Sequence, residues 1–369
     1  MLQYRKAVPA DEKAVLELMD TVFSERSPHD FASLMPKAYG RSGFYKLHYV
    51  AEADGRIVST IAVLPERLYP TPDTSLEAGY IGNVCTAKDE RGKGHITRLM
   101  ELLLPEAEQK YDLMILSGQR QLYGKYGFEP GAAMAGIRVT GANLRGLNGE
   151  VSFKELTAEN TEDLRSVCAL MRRQSAMSER TEENVLDISH SWYTGLYGAY
   201  ADGKLVVYIC AHPRNVLELG AQAPEWIAPA IKCWVEQHGD SEVFVPLNDR
   251  ETVDRLITFA EGMRIIDCEK IRVFRWQKTL QTLLRAKAES TALIKGVRTV
   301  CITGKGTFRI NAGGEIPSVT ETDEKADMEL SEAEAVRRFF SASSIFTETD
   351  PLLRSWMPLP LAVRSVDQF

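Results

Sequence analysis

Apolar residues recur with two different periods along the first 145 residues. Runs and alternation typical of strands occupy Gln3–Lys6, Lys46–Ala53, Arg56–Leu64, Glu77–Thr86 and Asp112–Ser117. Apolar residues three and four positions apart, typical of helices, follow Pro9 and again follow Gly94. Together these segments, with a further helix and strand after Ser117, predict the order β-α-β-β-β-α-β-α-β. We expect an α/β (α+β) domain over residues 1–145.

A similar order of elements returns in residues 146–277. The pattern predicts a strand near Val151, a helix over Leu164–Met171, a hairpin at Asp202-Gly203, a helix over Trp226–Gln237, a strand over Glu242–Leu247, a helix over Thr252–Glu261 and a strand over Lys270–Trp276. The predicted order is that of the first domain with one strand fewer between the first two helices. We therefore expect a second domain with the same layout.

Residues 278–369 read as a third, smaller α+β domain. A helix is predicted over Thr279–Ala288, followed by strands over Gly296–Thr303 and Gly306–Ala312. Ser331 with Glu334 three residues later forms the sequence pattern of a capping box, which predicts a helix from Glu332. A chain of 369 residues is long enough for two or three domains.

Composition narrows the class of protein. Apolar residues make up 44% and charged residues 26% of the chain, as in soluble globular proteins, and no apolar run approaches the length of a membrane span. A net charge of −7 argues against nucleic acid as a partner. The six cysteines lack paired metal spacing, so we expect free thiols, no metal and, with no signal peptide evident, a cytoplasmic protein.

One stretch carries most of the chemistry. The strand ending at Thr86 leads through Arg91-Gly92-Lys93-Gly94 into an apolar-periodic helix. A glycine loop before a helix N-terminus is an anion site, because free backbone N–H groups and the helix dipole point at the guest. A diphosphate and an ordinary glycine turn both remain open here. The pattern is neither a P-loop nor a Gly-x-Gly-x-x-Gly dinucleotide motif.

Two motifs resemble those of the GNAT superfamily of N-acetyltransferases. Arg91-Gly92-Lys93-Gly94-His95-Ile96 is similar to its acetyl-coenzyme A loop, and Leu122–Phe128 is similar to its Tyr-x-x-x-Gly-Phe signature. Ile96 replaces the usual small residue, as in the Eis-like (enhanced intracellular survival) branch. This resemblance implies two tandem GNAT folds, the second degenerate and without either motif, then a sterol-carrier-protein-like domain. It also implies a homo-oligomer, specifically a hexamer.

The resemblance assigns roles to particular residues. Tyr123 corresponds to the proton donor, although a packing role is the alternative. The coenzyme would lie along Val84, Cys85 and Thr86, and its diphosphate would lie at the loop, whose residues are Arg91, Gly92, Lys93, Gly94, His95 and Ile96. In the Eis-like branch the base is the carboxylate of a terminal Phe, which corresponds to Phe369; a frayed terminus is the alternative.

The resemblance implies transfer of an acetyl group from acetyl-CoA to a primary amine by direct attack through a tetrahedral intermediate. The acceptor cannot be identified from the sequence: aminoglycosides, polyamines and lysine side chains all remain open. The polar segment from Ser24 to Phe44 should cover the acceptor site, where Glu25 and Asp30 would meet cationic amines unless they are merely solvated. A lipid or hydrophobe carrier that uses the last domain is the competing function, but the intact Arg91–Gly94 loop and Tyr123 argue against it.

Overall fold

The computed structural model describes residues 1–25, 30–174 and 177–369. Its larger sheet takes its strands from residues 2–273: β1 (Leu2–Lys6), β2 (His48–Ala53), β3 (Arg56–Thr71), β4 (Thr74–Thr86), β5 (Leu113–Leu116), β6 (Glu129–Val139), β7 (Ser152–Glu155), β8 (Met177–Ser178), β9 (Gly195–Ala201), β10 (Lys204–His212), β11 (Asn215–Ala221), β12 (Ser241–Pro246) and β13 (Gly262–Val273). A smaller sheet contains β14 (Val297–Ile302), β15 (Gly306–Asn311), β16 (Ser318–Glu321) and β17 (Met328–Leu330).

Helices cover the faces of these sheets. In chain order they are α1 (Glu12–Ser24), α2 (Phe31–Leu34), α3 (Pro36–Tyr39), α4 (His95–Lys110), α5 (Arg120–Tyr123), α6 (Thr161–Met171), α7 (Val185–Ser189), α8 (Ile227–His238), α9 (Arg250–Ile257), α10 (Trp276–Ser290), α11 (Glu332–Phe340), α12 (Ser344–Thr347) and α13 (Pro351–Trp356). The mixed α/β class predicted from the sequence is confirmed. The capping box at the start of α11 is also present, with Ser331 and Glu334 bonding each other's backbone N–H groups.

Two strands of the large sheet pair with strands that lie far from them in the sequence. Its order is β1-β2-β3-β4-β5-β13-β6-β12-β11-β10-β9-β7, with β8 paired to β3. β13 comes late in the chain yet lies against β5, with Lys270 opposite Leu116. β6 comes early yet lies against β12, with Ala135 opposite Val245. The sheet is therefore continuous across residue 145, the predicted end of the first domain.

The structure corrects several predicted boundaries. β2 begins at His48 rather than Lys46, because residues 44–47 form a turn of 3₁₀ helix. β13 begins at Gly262, eight residues before the prediction, and its first three residues are exposed, which hides the strand pattern. β11 has no counterpart among the predicted elements. Its seven residues include a buried acid, Glu218, which interrupts the expected alternation.

A chain of buried hydrogen bonds runs behind β4. The amide of Asn83 donates to the Tyr39 hydroxyl over 2.6 Å, and this hydroxyl lies 3.2 Å from Nε2 of His48. His48 Nδ1 lies 2.8 Å from the Thr60 hydroxyl, which donates to the carbonyl of Tyr49. One set of directions satisfies every link: Tyr39 donates to Nε2, and Nδ1–H donates to Thr60. The chain therefore requires a neutral imidazole.

Burial lowers the pKa of His48 to about 3, whereas an unfolded histidine titrates near ~6.5. The unfolded state consequently binds more protons between these values, so stability is lost as the pH falls from about 6.5 toward 3. The full slope from this one group is about 1.4 kcal/mol per pH unit. We predict that His48→Gln, which does not titrate, has a correspondingly shallower loss of unfolding free energy in acid. Urea titrations at pH 7, 6, 5 and 4 would measure both slopes; parallel slopes would show that His48 is charged in the fold.

Candidate coenzyme and acceptor site

The candidate site lies where β4 and β5 part. Their parallel pairing runs from Ala78 opposite Leu113 to Ile81 opposite Leu116, and β5 ends there while β4 continues to Thr86. Against β3 on its other side, β4 has a bulge in which Asn83 and Val84 oppose the single residue Ile61. Asn83 has φ 51°, the left-handed conformation. The bulge and the divergence open a cleft in the sheet beside the coenzyme loop.

The predicted coenzyme loop has the backbone of an anion site. Gly92 and Gly94 have φ values of 81° and 83°, and a side chain added at either would meet no atom within 4 Å. Helix α4 starts directly after Gly94, and no side chain caps it. Its first N–H groups are therefore available to a ligand, and the helix dipole favours a negative one. These residues fit the diphosphate of coenzyme A.

The charged side chains of the loop are paired with acids in this structure. Arg91 lies 3.1 Å from Glu25, and Lys93 lies 2.8 Å from Glu90. His95 is buried, and its ring is held between the Tyr4 hydroxyl at 2.9 Å and Glu90 at 3.1 Å. His95 was expected near the phosphates. Its ring is engaged by these two partners here, and its role toward the phosphates stays a prediction.

The three predicted coenzyme residues of β4 follow the bulge. Thr86 pairs with Ser59 and Cys85 with Thr60 on β3, so their opposite backbone edge faces the side from which β5 has departed. This is the edge along which a polyamide arm would pair. Cys85 is buried, and burial raises the pKa of its thiol to about 12. The thiol is therefore protonated at neutral pH and is not a nucleophile.

The last thirteen residues of the chain pack into the fold, and the final residue reaches this cleft. From Met357 to Phe369 every residue is buried except Ser365 and Gln368, which are partly exposed. Phe369 is 4% exposed, and its ring stacks on Tyr39 with centroids 6.1 Å apart. A side chain added at Gly82 would overlap both the carboxyl group and the ring of Phe369. The end of the chain thus lies against β4, one residue before the bulge.

Two segments hold Val366 and Asp367 of the tail in place. Lys37 donates to the carbonyl of Val366 over 2.9 Å. Arg180 and Ser178 each bond the carboxylate of Asp367 over 2.6 Å. Burial disfavours the ionised form of Asp367, but the Arg180 guanidinium outweighs it and lowers the pKa of that carboxyl. The tail is therefore anchored by polar contacts as well as by apolar burial.

Gln368, the residue before the carboxyl end, is held on two sides. Its backbone carbonyl accepts a hydrogen bond of 2.9 Å from the Trp192 indole, and its side-chain amide donates one of 2.6 Å to Glu269. Trp192 has φ 62° and the next residue, Tyr193, has φ 56°, two left-handed conformations that are uncommon for aromatic residues. Both partners of Gln368 come from residues 146–277: Glu269 from β13, and Trp192 from a 3₁₀ turn before β9.

Sequence reasoning missed Glu269. It lies on β13, is fully buried, and receives the Ser117 hydroxyl at 2.7 and 2.9 Å on its two oxygens. Burial raises the pKa of this carboxyl, although hydrogen bonds from Ser117, Tyr80 and Gln368 oppose the shift. Ser117 follows β5 directly and is exposed at the divergence. The only signal in the sequence is an acid two residues before Ile271, directly ahead of the predicted strand Lys270–Trp276, which was assigned to another domain.

Tyr123 lies on the opposite border of the cleft. It ends α5, and its ring packs against Gly118, where an added side chain would overlap it. Burial, followed by the neighbouring Tyr126, raises the pKa of its phenol above the ordinary value. The phenol is therefore protonated at neutral pH and able to donate.

The two acceptor candidates have other partners here. Glu25 pairs with Arg91, as described above. Asp30 caps α2, because its side chain accepts the backbone N–H groups of Ala32 and Ser33. Their role toward an acceptor stays a prediction. His29 of the same segment lies outside the described residues.

Two further observations concern the described ranges. Within them, His, Cys, Asp and Glu side chains do not gather in the groups of three or more that a metal ion requires. None of the helices found there is long and apolar enough to cross a bilayer.

Comparison with known families and structures agrees with this geometry. Residues 3–131 match the family model described as an acetyltransferase (GNAT) domain. A comparison with curated protein sequences gives no match.

Solved structures that are similar over the whole chain include those of three proteins. A GCN5-related N-acetyltransferase from Anabaena variabilis aligns over 100% of both chains at 13% identity, with a TM-score of 0.71. A probable N-acyltransferase of Enterococcus faecalis aligns over 99% of this chain and 97% of that chain at 15% identity, with a TM-score of 0.66. Eis1 from Mycobacterium abscessus aligns over 98% and 97% at 11% identity, with a TM-score of 0.64. At such identities the likeness establishes the fold, and the family model shows a GNAT acetyltransferase domain over residues 3–131.

Proposed function

We propose that the protein transfers an acetyl group from acetyl-CoA to a primary amine in the cleft between β4 and β5. The observation that carries this proposal is the position of Phe369, whose carboxyl group lies against Gly82 beside the bulge of β4. A carboxylate at this point would meet an amine that enters the open cleft. The coenzyme loop and Tyr123 border the same divergence of strands.

The coenzyme supplies an activated acetyl thioester, and the chain supplies its orientation. Arg91 and Lys93 would exchange their pairs with Glu25 and Glu90 for the diphosphate, and the N–H groups at the start of α4 would hold it. The edge of Val84, Cys85 and Thr86 that faces away from β3 would pair with the amides of the pantetheine arm. The Thr86 carbonyl would exchange its present bond from Arg91 as that side chain turns to the diphosphate. A backbone N–H of the bulge is then a candidate donor to the oxyanion.

Proton transfer requires one acceptor and one donor. The Phe369 carboxylate, as the last group of the chain, would accept the proton that the ammonium must lose before the nitrogen attacks. An exposed carboxylate is a weak base, with a reference pKa near ~3.5, but desolvation strengthens it. Tyr123 would donate its phenolic proton to the departing thiolate as the carbon–sulfur bond breaks.

The acceptor class and the whole-chain organisation belong to the same proposal. Aminoglycosides, polyamines and lysine side chains are the amines to test.

We place a catalytic GNAT domain at 1–145, a degenerate GNAT-like domain at 146–277 and a sterol-carrier-protein-like domain at 278–369. The second parallel strand pair, Asn215 opposite Glu242 on β11 and β12, supports the repeated layout. A cytoplasmic homohexamer is part of this proposal.

We predict that Gly94→Asp abolishes acetyl-CoA binding. The substitution forces an L residue into a conformation with φ 83° and places a carboxylate where the diphosphate is held. Calorimetry would measure the affinity. Gly304→Asp is the matched control, because Gly304 has φ 76° with equally open surroundings in the turn between β14 and β15. Unchanged affinity in Gly94→Asp would place the coenzyme elsewhere.

We predict that Tyr123→Phe lowers turnover by about 100-fold or more while coenzyme binding persists, because only the donated proton is lost. Single-turnover kinetics would isolate the chemical step. Tyr126→Phe serves as the control, because Tyr126 belongs to the same motif and its hydroxyl bonds Thr97 outside the motif. Equal, small effects of the two substitutions would rule out Tyr123 as the donor.

We predict that residues appended after Phe369 stop acetyl transfer without affecting folding or coenzyme binding. The added chain removes the carboxylate from the cleft but retains every side chain. Deletion of Phe369 withdraws the carboxylate by about 3.5 Å, well outside near-attack geometry. Intact mass would verify each terminus, released thiol would report transfer over the panel of amines, and the same residues appended before Met1 provide the control. Full activity in the C-terminally extended enzyme would assign the base to another group.

A further inference from the structure

The contacts of Gln368 give the second half of the large sheet a part in the reaction. Glu269 and Trp192 come from residues far from the coenzyme loop, yet both bond the residue that precedes Phe369. One bond fixes the side chain of Gln368 and the other fixes its backbone carbonyl. With both held, few backbone rotations remain that could move the carboxyl group of Phe369.

We propose that Glu269 is a positioning residue for acetyl transfer, which holds Gln368 and thereby sets where the carboxylate of Phe369 stands. This inference rests on the proposed function, in which that carboxylate is the base. Displacement of a reacting group by about 1 Å costs up to about 100-fold in rate, so a hydrogen bond one residue away has kinetic leverage.

The environment of Glu269 favours this role over a purely structural one. A carboxylate in the interior is costly unless hydrogen bonds satisfy it, and an apolar side chain would fill the same space without that cost. Besides Tyr80, its hydrogen-bond partners are Ser117 after β5 and Gln368 in the tail. Both border the cleft. The buried acid therefore ties β13 to the reacting end of the chain.

Strand pairing supplies the rigidity that positioning requires. Glu269 is opposite Gly131 on β6, and its neighbour Lys270 is opposite Leu116, the last residue of β5. Glu269 thus lies just beyond the end of β5, and its pairing with β6 fixes its backbone. A side chain on such an element is located more closely than one on a loop.

An exchange of the two side chains tests the proposal. Gln368→Glu places a second carboxylate against Glu269, where the present donor–acceptor distance is 2.6 Å. Repulsion should displace the tail and lower kcat by about 10- to 100-fold, with KM for acetyl-CoA unchanged. The double variant Glu269→Gln with Gln368→Glu restores one donor and one acceptor with their roles reversed. It should recover kcat to within about threefold of the parent.

Two more variants complete the experiment. Glu269→Ala should reduce kcat as Gln368→Glu does, and thermal unfolding of each variant would separate misfolding from misplacement. Glu242→Gln is the control, since Glu242 is also an acid of the large sheet, paired with Arg264 at 2.6 Å on β13, away from the tail.

The outcomes separate the inference from the function on which it rests. Parent-like kcat in Gln368→Glu, or a double variant no faster than that single variant, would overturn the positioning role. If the C-terminal extension abolishes transfer while Gln368→Glu has no effect, only the role of Glu269 fails. If the C-terminal extension leaves transfer intact, the assignment of the base to Phe369 fails, and the positioning role of Glu269 fails with it.

Discussion

The insertion of β13 between β5 and β6 is the constraint on which the candidate site depends. β13 pairs with β5 and so joins the strands of the first half of the chain to the rest of the sheet. The pairing of Lys270 with Leu116 places Glu269 just past the end of β5. A slip of one residue in this register would turn Glu269 to the opposite face of the sheet. Ser117 and Gln368 would then lose their common partner.

The docked tail is held by apolar burial and by directional polar contacts, and these two kinds of interaction have different roles. Apolar residues such as Leu359, Leu361 and Val363 are buried and supply a non-directional driving force for docking. Such burial does not specify position to a fraction of an ångström. The polar contacts to Val366, Asp367 and Gln368 are directional and near the end of the tail. They set the place of the terminal residue, as catalysis by its carboxylate would require.

Local sequence signals predicted many of the helices, turns and strands, but they did not predict which distant strands pair with β6 and β13. The helix after Gly94, the hairpin at Asp202-Gly203 and the capping box at Ser331 depend on a few neighbouring residues, and each is present. Periodicity located β13 and β12 but carries no information on which strands lie beside them. The predicted boundary at residue 145 follows the order of elements, while the sheet follows non-local pairing across that boundary.

The same distinction explains which parts of the site were predicted. The loop from Arg91 to Ile96 and Tyr123 lie in contiguous motifs, so the sequence displays them together. Glu269, Trp192 and Lys37 have no motif; only the folded chain brings them to the tail. The ring contacts of His95 escaped prediction for a related reason. Its partners, Tyr4 and Glu90, are known only once β1 is placed beside the loop.

A site assembled in this way depends on nearly the whole chain. Its coenzyme loop comes from residues 91–96, its phenol from Tyr123, its buried acid from β13 and its terminal carboxyl group from Phe369. Glu269 is in place only when β13 is paired, and Phe369 lies at Gly82 only when α11 and the tail are packed. No single predicted domain therefore contains a complete site. Long-range contacts of this kind make the geometry of the cleft sensitive to packing far from it. The second half of the large sheet, which lacks the glycine loop, thus contributes to the cleft by holding the end of the chain.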